Sequence, residues 1–104
     1  MARLATLDKE IKHLIEISKH IPIVGIVHLL LIDNSDIEGV VRRITGGNYS
    51  EGCYGELEIE TLDKEHRVID YLDIRAALDV TKERRDKYEE EGLFHKRIPE
   101  ILDL

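Results

Sequence analysis

The chain has 104 residues, 42% of them hydrophobic and 36% charged, with a net charge of −7. That length fits one domain with a core of its own, and segments rich in Ile, Leu and Val exclude a disordered chain. Cys53 is the sole cysteine, which excludes an internal disulfide and fits a reducing compartment. The N-terminus has no signal-like apolar stretch, and the longest apolar run, residues 21–32, is too short to span a bilayer. A soluble, cytoplasmic protein without membrane contact is expected.

The elements follow in chain order. Thr6 can cap a helix over residues 6–20, with Leu7, Ile11, Leu14 and Ile15 on one face and Ile17 at its edge. Pro22 stops it. Residues 23–80 read as five short strands separated by turns. The first is apolar on both faces: Val27, Leu29 and Leu31 point one way, Ile26, Leu30 and Ile32 the other. Turn residues Asp33, Asn34, Ser35 and Asp36 follow. In the second strand Gly39 permits a sharp bend. The third alternates cleanly, with Leu57, Ile59 and Thr61 inward and Glu56, Glu58 and Glu60 outward. Val68, Ile69, Ile74, Ala76 and Leu78 are expected to complete the core. Thr81 can then cap a second helix that Gly92 ends. It holds little apolar surface beyond Tyr88, so it reads as solvated and projecting. The tail regains Leu93, Phe94, Ile98, Ile101 and Leu102. The expected architecture is mainly β with flanking helices: one domain over residues 1–104, divided into a helix at 6–20, a five-stranded bent barrel at 23–80 and a helical tail at 81–104.

The charge imbalance sits in the barrel. Residues 23–80 carry twelve acidic and five basic side chains. Such a surface repels phosphate and attracts basic proteins.

Residues that could carry chemistry are few. The segment from Gly46 to Gly55 has four glycines together with Tyr49, Cys53 and Tyr54. It reads either as a binding loop with two aromatic contacts or as a long hairpin connection. It is no phosphate loop, because no G-K-[ST] and no helix follows. Cys53 would act as a nucleophile only beside a base, with His28 or His66 as possible partners, and an ordinary thiol is the expectation. His13, His20, His28, His66 and His95 lack ligand spacing, so no metal, cofactor or catalytic residue is assigned. Glu56, Glu58 and Glu60 form an acidic stripe. It is either neutralised across the sheet by Arg42, Arg67 or Arg75, or it docks a basic partner. Arg42 and Arg43 are the one adjacent basic pair in the barrel.

The segments IKHLIEI, HLLLIDNSDIEGVVRRI, YGELEIETL and RVIDYLDIRAAL, in that order, resemble the Sm-like superfamily. The turn followed by I-x-G-x-V at Ile37, Gly39 and Val41 is similar to the start of its first motif. The step YLDI into IRAAL is similar to the link between its last two strands. The chain resembles bacterial stand-alone Sm-like domains, and also the Rho-binding antiterminator, a small acidic Sm-like protein that binds a nucleic-acid-binding protein. RNA-binding members carry a base-cradling acidic-to-Asn segment between strands two and three. This chain has TGGNYSEGCYG there. They also carry an arginine or a lysine-histidine between strands four and five, where this chain has Asp70 and Asp73. The resemblance therefore implies a non-catalytic module that binds a basic protein partner through Glu56, Glu58, Glu60, Tyr49 and Tyr54. The alternatives are RNA binding through Arg42, Arg43, Tyr49 and Tyr54, and an enzyme using the Cys53 loop. A homodimer is expected through Leu93, Phe94, Ile98, Ile101 and Leu102, because one barrel cannot absorb both apolar faces of its first strand.

Overall fold

The computed structural model describes residues Ala2 to Phe94. The order of elements is α1 (Asp8–Lys19), β1 (Ile26–Leu31), β2 (Asp36–Tyr49), β3 (Gly52–Glu60), β4 (His66–Asp70), a 3₁₀ turn (Tyr71–Asp73), β5 (Ile74–Asp79) and α2 (Thr81–Glu90). The strands form one antiparallel sheet in the order β4-β3-β2-β1-β5. The long β2 joins its two halves, pairing first with β1 and then with β3. Gly39 lies where β2 passes closest to the end of β3: a Cβ there would stand 2.7 Å from the Glu60 carbonyl oxygen. Among the described residues, no helix is long and apolar enough to cross a membrane.

Two bulges decide which residues face inward. In β2, Val41 pairs with Ile59 and Arg43 with Glu58, so Arg42 is the extra residue. In β5, Ala76 pairs with Leu30 and Ile74 with Leu31, so Arg75 is extra. An extra residue reverses the alternation beyond it. This corrects the expected core. Ile74 and Ala77 face inward, while Ala76 is exposed and Leu78 is 63% exposed. In β4, Ile69 is buried and its neighbour Val68 points out, as strand alternation requires.

The main core lies between the sheet and α1. Leu14, Ile17 and Ile21 pack with Val27, Leu29, Val41, Leu57, Ile59, Ile69, Tyr71 and Ile74. Leu7 and Ile15, expected on the inner face of α1, are largely exposed. Thr6 does not cap the helix. It lies in an extended segment whose Ala5 exchanges both backbone hydrogen bonds with Cys53. The Glu10 carboxylate caps instead, accepting from the N–H groups of Thr6 and Leu7 at 3.2 and 3.1 Å.

The Ile26 end of the second face of β1 is covered from within the chain. Ile26, Val40 and Val80 pack with the fully buried Tyr88 of α2, and Leu93 folds back onto them. α2 is therefore docked, not projecting. Its start is tied to β1: Thr81 Oγ1 accepts from the Ile26 N–H at 2.9 Å, while the Asp79 carboxylate accepts from the Thr81 N–H and hydroxyl. Gly92 (φ +73°) then turns the chain, and the Leu93 N–H bonds back to the Tyr88 carbonyl. Of the apolar face that motivated a homodimer, α2 covers Ile26, Leu30 stays half-buried and Ile32 is 51% exposed, while Leu93 is buried within its own chain. Ile98, Ile101 and Leu102, like His95, lie outside the described residues.

Candidate functional site

The region expected to be a loop from Gly46 to Gly55 is a paired hairpin. Gly46, Gly47, Asn48 and Tyr49 of β2 stand opposite Gly55, Tyr54, Cys53 and Gly52 of β3, so only Ser50 and Glu51 form the turn. The glycines serve packing across the strands. Tyr54 lays its ring over Gly47, where a Cβ would sit 2.8 Å from the ring. Gly52 (φ +152°) passes so close to the N-terminal segment that a Cβ would stand 2.1 Å from the Ala5 carbonyl oxygen.

Register places the expected partner-binding residues on one face. Tyr49, Gly47, Thr45 and Arg43 of β2 pair with Gly52, Tyr54, Glu56 and Glu58 of β3, and Glu60 follows at the same period. Tyr49 and Tyr54 are brought together: their rings stack with centroids 6.0 Å apart and planes 11° from parallel. Tyr49 is 60% exposed. Beside them the N-terminal segment adds Ala2 and Leu4, and these four residues line a shallow apolar cavity of about 150 Å³. Nothing in local periodicity pointed to Ala2 or Leu4. They arrive through the pairing of Ala5 with Cys53, a contact across almost half the chain. The Tyr54 phenol is held above its ordinary pKa, first by Tyr49, then by partial burial and by Glu56.

The acidic stripe is largely satisfied within the sheet. Arg42 Nε donates to Glu60 at 3.0 Å, and its Nη2 donates to the Leu93 carbonyl at 2.8 Å. Glu58 lies 3.0 Å from His66 Nε2 and 3.8 Å from Arg43 Nε. Arg67 and Arg75, expected as cross-strand cations, are placed elsewhere. Arg67 stands opposite Ile59, off the glutamate face, and Arg75 donates to Asn34 and to the Ile32 carbonyl.

The link between β4 and β5 holds a second polar centre. Arg3 donates to both Asp70 and Asp73, and its backbone N–H also bonds Asp70 at 2.9 Å. Burial pushes the Asp70 carboxyl up, but the Arg3 side-chain and backbone bonds and the Leu72 N–H outweigh it, so its pKa falls below the ordinary value. The position where RNA-binding Sm proteins carry a cation therefore holds two carboxylates, already engaged by the chain's own N-terminal segment.

The third cluster surrounds Glu38 under α2. Glu38 accepts from Tyr88 Oη at 3.1 Å, from Arg84 Nε at 3.3 Å and faces His28 Nδ1 at 3.1 Å. His28 Nε2 lies 2.9 Å from Asp36. Burial and the Glu38 charge hold the Tyr88 phenol protonated, so it remains a donor.

Cys53 is buried in the core, and the two histidines considered as its bases bond to carboxylates instead, His28 as above and His66 to Glu58. His13 contacts the Ile74 carbonyl and His20 contacts Glu16. Among the described residues, no three His, Cys, Asp or Glu side chains are grouped to hold a metal ion.

The helix, the sheet order and the 3₁₀ link between the last two strands, with the C-terminal helix, are those of an Sm-like fold. The fold is similar to the crystal structure of XC5848 from Xanthomonas campestris, described as adopting a novel variant of the Sm-like motif. The two share 28% identity with a TM-score of 0.63, over 76% of this chain and 94% of that one. No protein-family model and no curated protein matches the chain.

Proposed function

We propose that the protein is a non-catalytic Sm-like module that binds another protein through the outer face of its β2–β3 hairpin. The observation that carries this reading is the stacked Tyr49–Tyr54 pair, held at the end of a rigid hairpin beside Leu4. Tyrosines offer large contact area at small entropic cost, and rigid aromatic anchors dominate interface energetics. The acidic surroundings favour a basic partner.

Nucleic acid is the poorer occupant. Stacked bases need phosphate contacts beside them, yet Arg42 and Arg43 are engaged by Glu60 and Glu58 and Arg3 by Asp70 and Asp73. Each arginine would have to leave a carboxylate before it could hold a phosphate.

Affinity capture from lysate separates these readings when the wild-type chain is compared with a Tyr49→Ala/Tyr54→Ala variant and with a Glu56/Glu58/Glu60→Lys variant. Protein binding predicts a specific partner recovered by the wild type and lost with the tyrosines. Recovery unaffected by both variants removes this face from the argument. Retardation of short U-rich or A-rich RNA at low salt, abolished by the tyrosine variant, would replace the protein reading with an RNA one.

A further inference from the structure

We infer that the tyrosine tip takes a single basic side chain of the partner, its aliphatic stem against Leu4 and the tyrosine rings and its charged head toward Glu56. This rests on the protein-binding reading and narrows it to one chemistry.

Three observations support a cation there. The cavity of about 150 Å³, lined by Ala2, Leu4, Tyr49 and Tyr54, has the capacity of one benzene-sized group, which suits the stem of one long side chain. Its walls include two nearly parallel tyrosine rings, and the face of such a ring attracts a lysine or arginine head. The local field is negative as well, since Glu56 is close enough to raise the Tyr54 pKa. An acidic or phosphorylated partner would meet that field while Arg3, Arg42 and Arg43 are already held in ion pairs by the chain's own carboxylates. A wholly apolar side chain would fill the cavity but gain nothing from Glu56.

The probe is a terminally blocked pentalysine, titrated into the full chain at 150 mM salt and followed by NMR, with pentaglutamate as control. Ionic strength at that level screens diffuse attraction to an acidic protein. The expected result is an upfield ring-current shift of lysine side-chain methylene protons, with the protein's own changes centred on Leu4, Tyr49 and Tyr54. Tyr49→Leu should abolish the upfield shift, and Glu56→Gln should weaken binding about two- to fivefold, the scale of an exposed ion pair. Wild-type changes centred instead on Asp63 and Glu65, in the exposed acidic turn between β3 and β4, or an equal response to pentaglutamate, would overturn the inference without reference to any variant. So would concentration-dependent shifts of the same residues in the protein alone, which would make a second copy the occupant. If the cellular partner depends on Tyr49 and Tyr54 but pentalysine does not bind, the protein-binding reading stands and this inference falls. If neither depends on the tyrosines, both fall.

Discussion

The two faces of β1 are covered in different ways. On the α1 side, Val27 and Leu29 join a core drawn from every strand, with Leu14 and Ile17 from α1 and Ile21 just beyond it. On the α2 side, Ile26 meets a cluster of four other buried residues, of which α2 itself contributes only Tyr88. Cohesion on the first side comes from many apolar contacts, each replaceable in part by its neighbours. On the second it comes from a smaller apolar cluster around one ring, from the Thr81 tie to β1, and from one carboxylate, since Tyr88, Arg84 and His28 all converge on Glu38. A helix that is almost wholly charged can therefore dock stably, but its attachment depends on few atoms. The first side should unfold with the whole domain, whereas the second can open by itself.

The contrast is most directly challenged by Leu57→Ala. Leu57 is fully buried at the centre of the larger core, so its truncation should cost about 3–4 kcal/mol and lower the whole unfolding transition. Hydrogen exchange should show β1, β2 and β3 losing protection together. If only the strand carrying the substitution responds, the larger core is not one cooperative unit.

A smaller effect of a different kind is expected for Tyr88→Phe. The ring stays, but the hydroxyl that donates to Glu38 is lost, at a cost of about 1–2 kcal/mol. Exchange should accelerate in α2 while β3 and α1 keep their protection. Equal loss across the sheet would show that α2 is integral to the main core and would dissolve the distinction.

The smallest effect concerns the Arg3 contact at the end of the main core. Replacing Asp70 by Asn should cost about 0.5–1 kcal/mol at neutral pH, as expected for an ion pair with one exposed partner. Folding lowers the Asp70 pKa, so its contribution is present above the ordinary carboxylate value of about 4 and is lost as pH falls through the lower native value. Urea melts of wild type and Asp70→Asn should therefore differ at pH 7 and draw together as the pH falls below the ordinary carboxylate value. A difference that stays constant down to the lowest pH at which the fold survives would mean that the charge of Asp70 is not what holds the N-terminal segment.

The sequence was most legible where one periodicity ran undisturbed. Leu57 and Ile59 inward against Glu56, Glu58 and Glu60 outward is the pattern of β3, and the structure keeps it. Reading failed at Leu78, Ala76 and Leu7 for separate reasons. A bulge such as the one at Arg75 depends on the partner strand, so nothing within β5 announces it. The cap of α1 moved because Thr6 was drawn into an extended segment beside Cys53, leaving Leu7 exposed. α2 gave no periodic signal because a single tyrosine anchors it. At the candidate site, Tyr49 and Tyr54 were visible as residues, but their stacking needed the register that sets Gly47 under Tyr54. Arg3 meets Asp70 across 67 residues, Leu4 meets Tyr49 and Tyr54 from the other end of the hairpin's half of the chain, and Glu38 meets Arg84 and Tyr88 of α2 across 46 and 50, and local pattern cannot register these.

The half of β2 beyond its pairing with β1 also bears on solubility. From Arg42 to Tyr49 it pairs with β3 on one side, and among the described residues no named strand flanks the other. A strand border that no other strand covers is a template on which other chains can polymerise. Its composition works against that: RRITGGNY has two adjacent charges at the barrel end, two glycines that weaken extended pairing, and Ile44 as its one aliphatic strand former. Arg42 and Arg43 act as gatekeepers as well as ion-pair partners. The glycines that let Tyr54 lie flat also keep the hairpin from seeding aggregates.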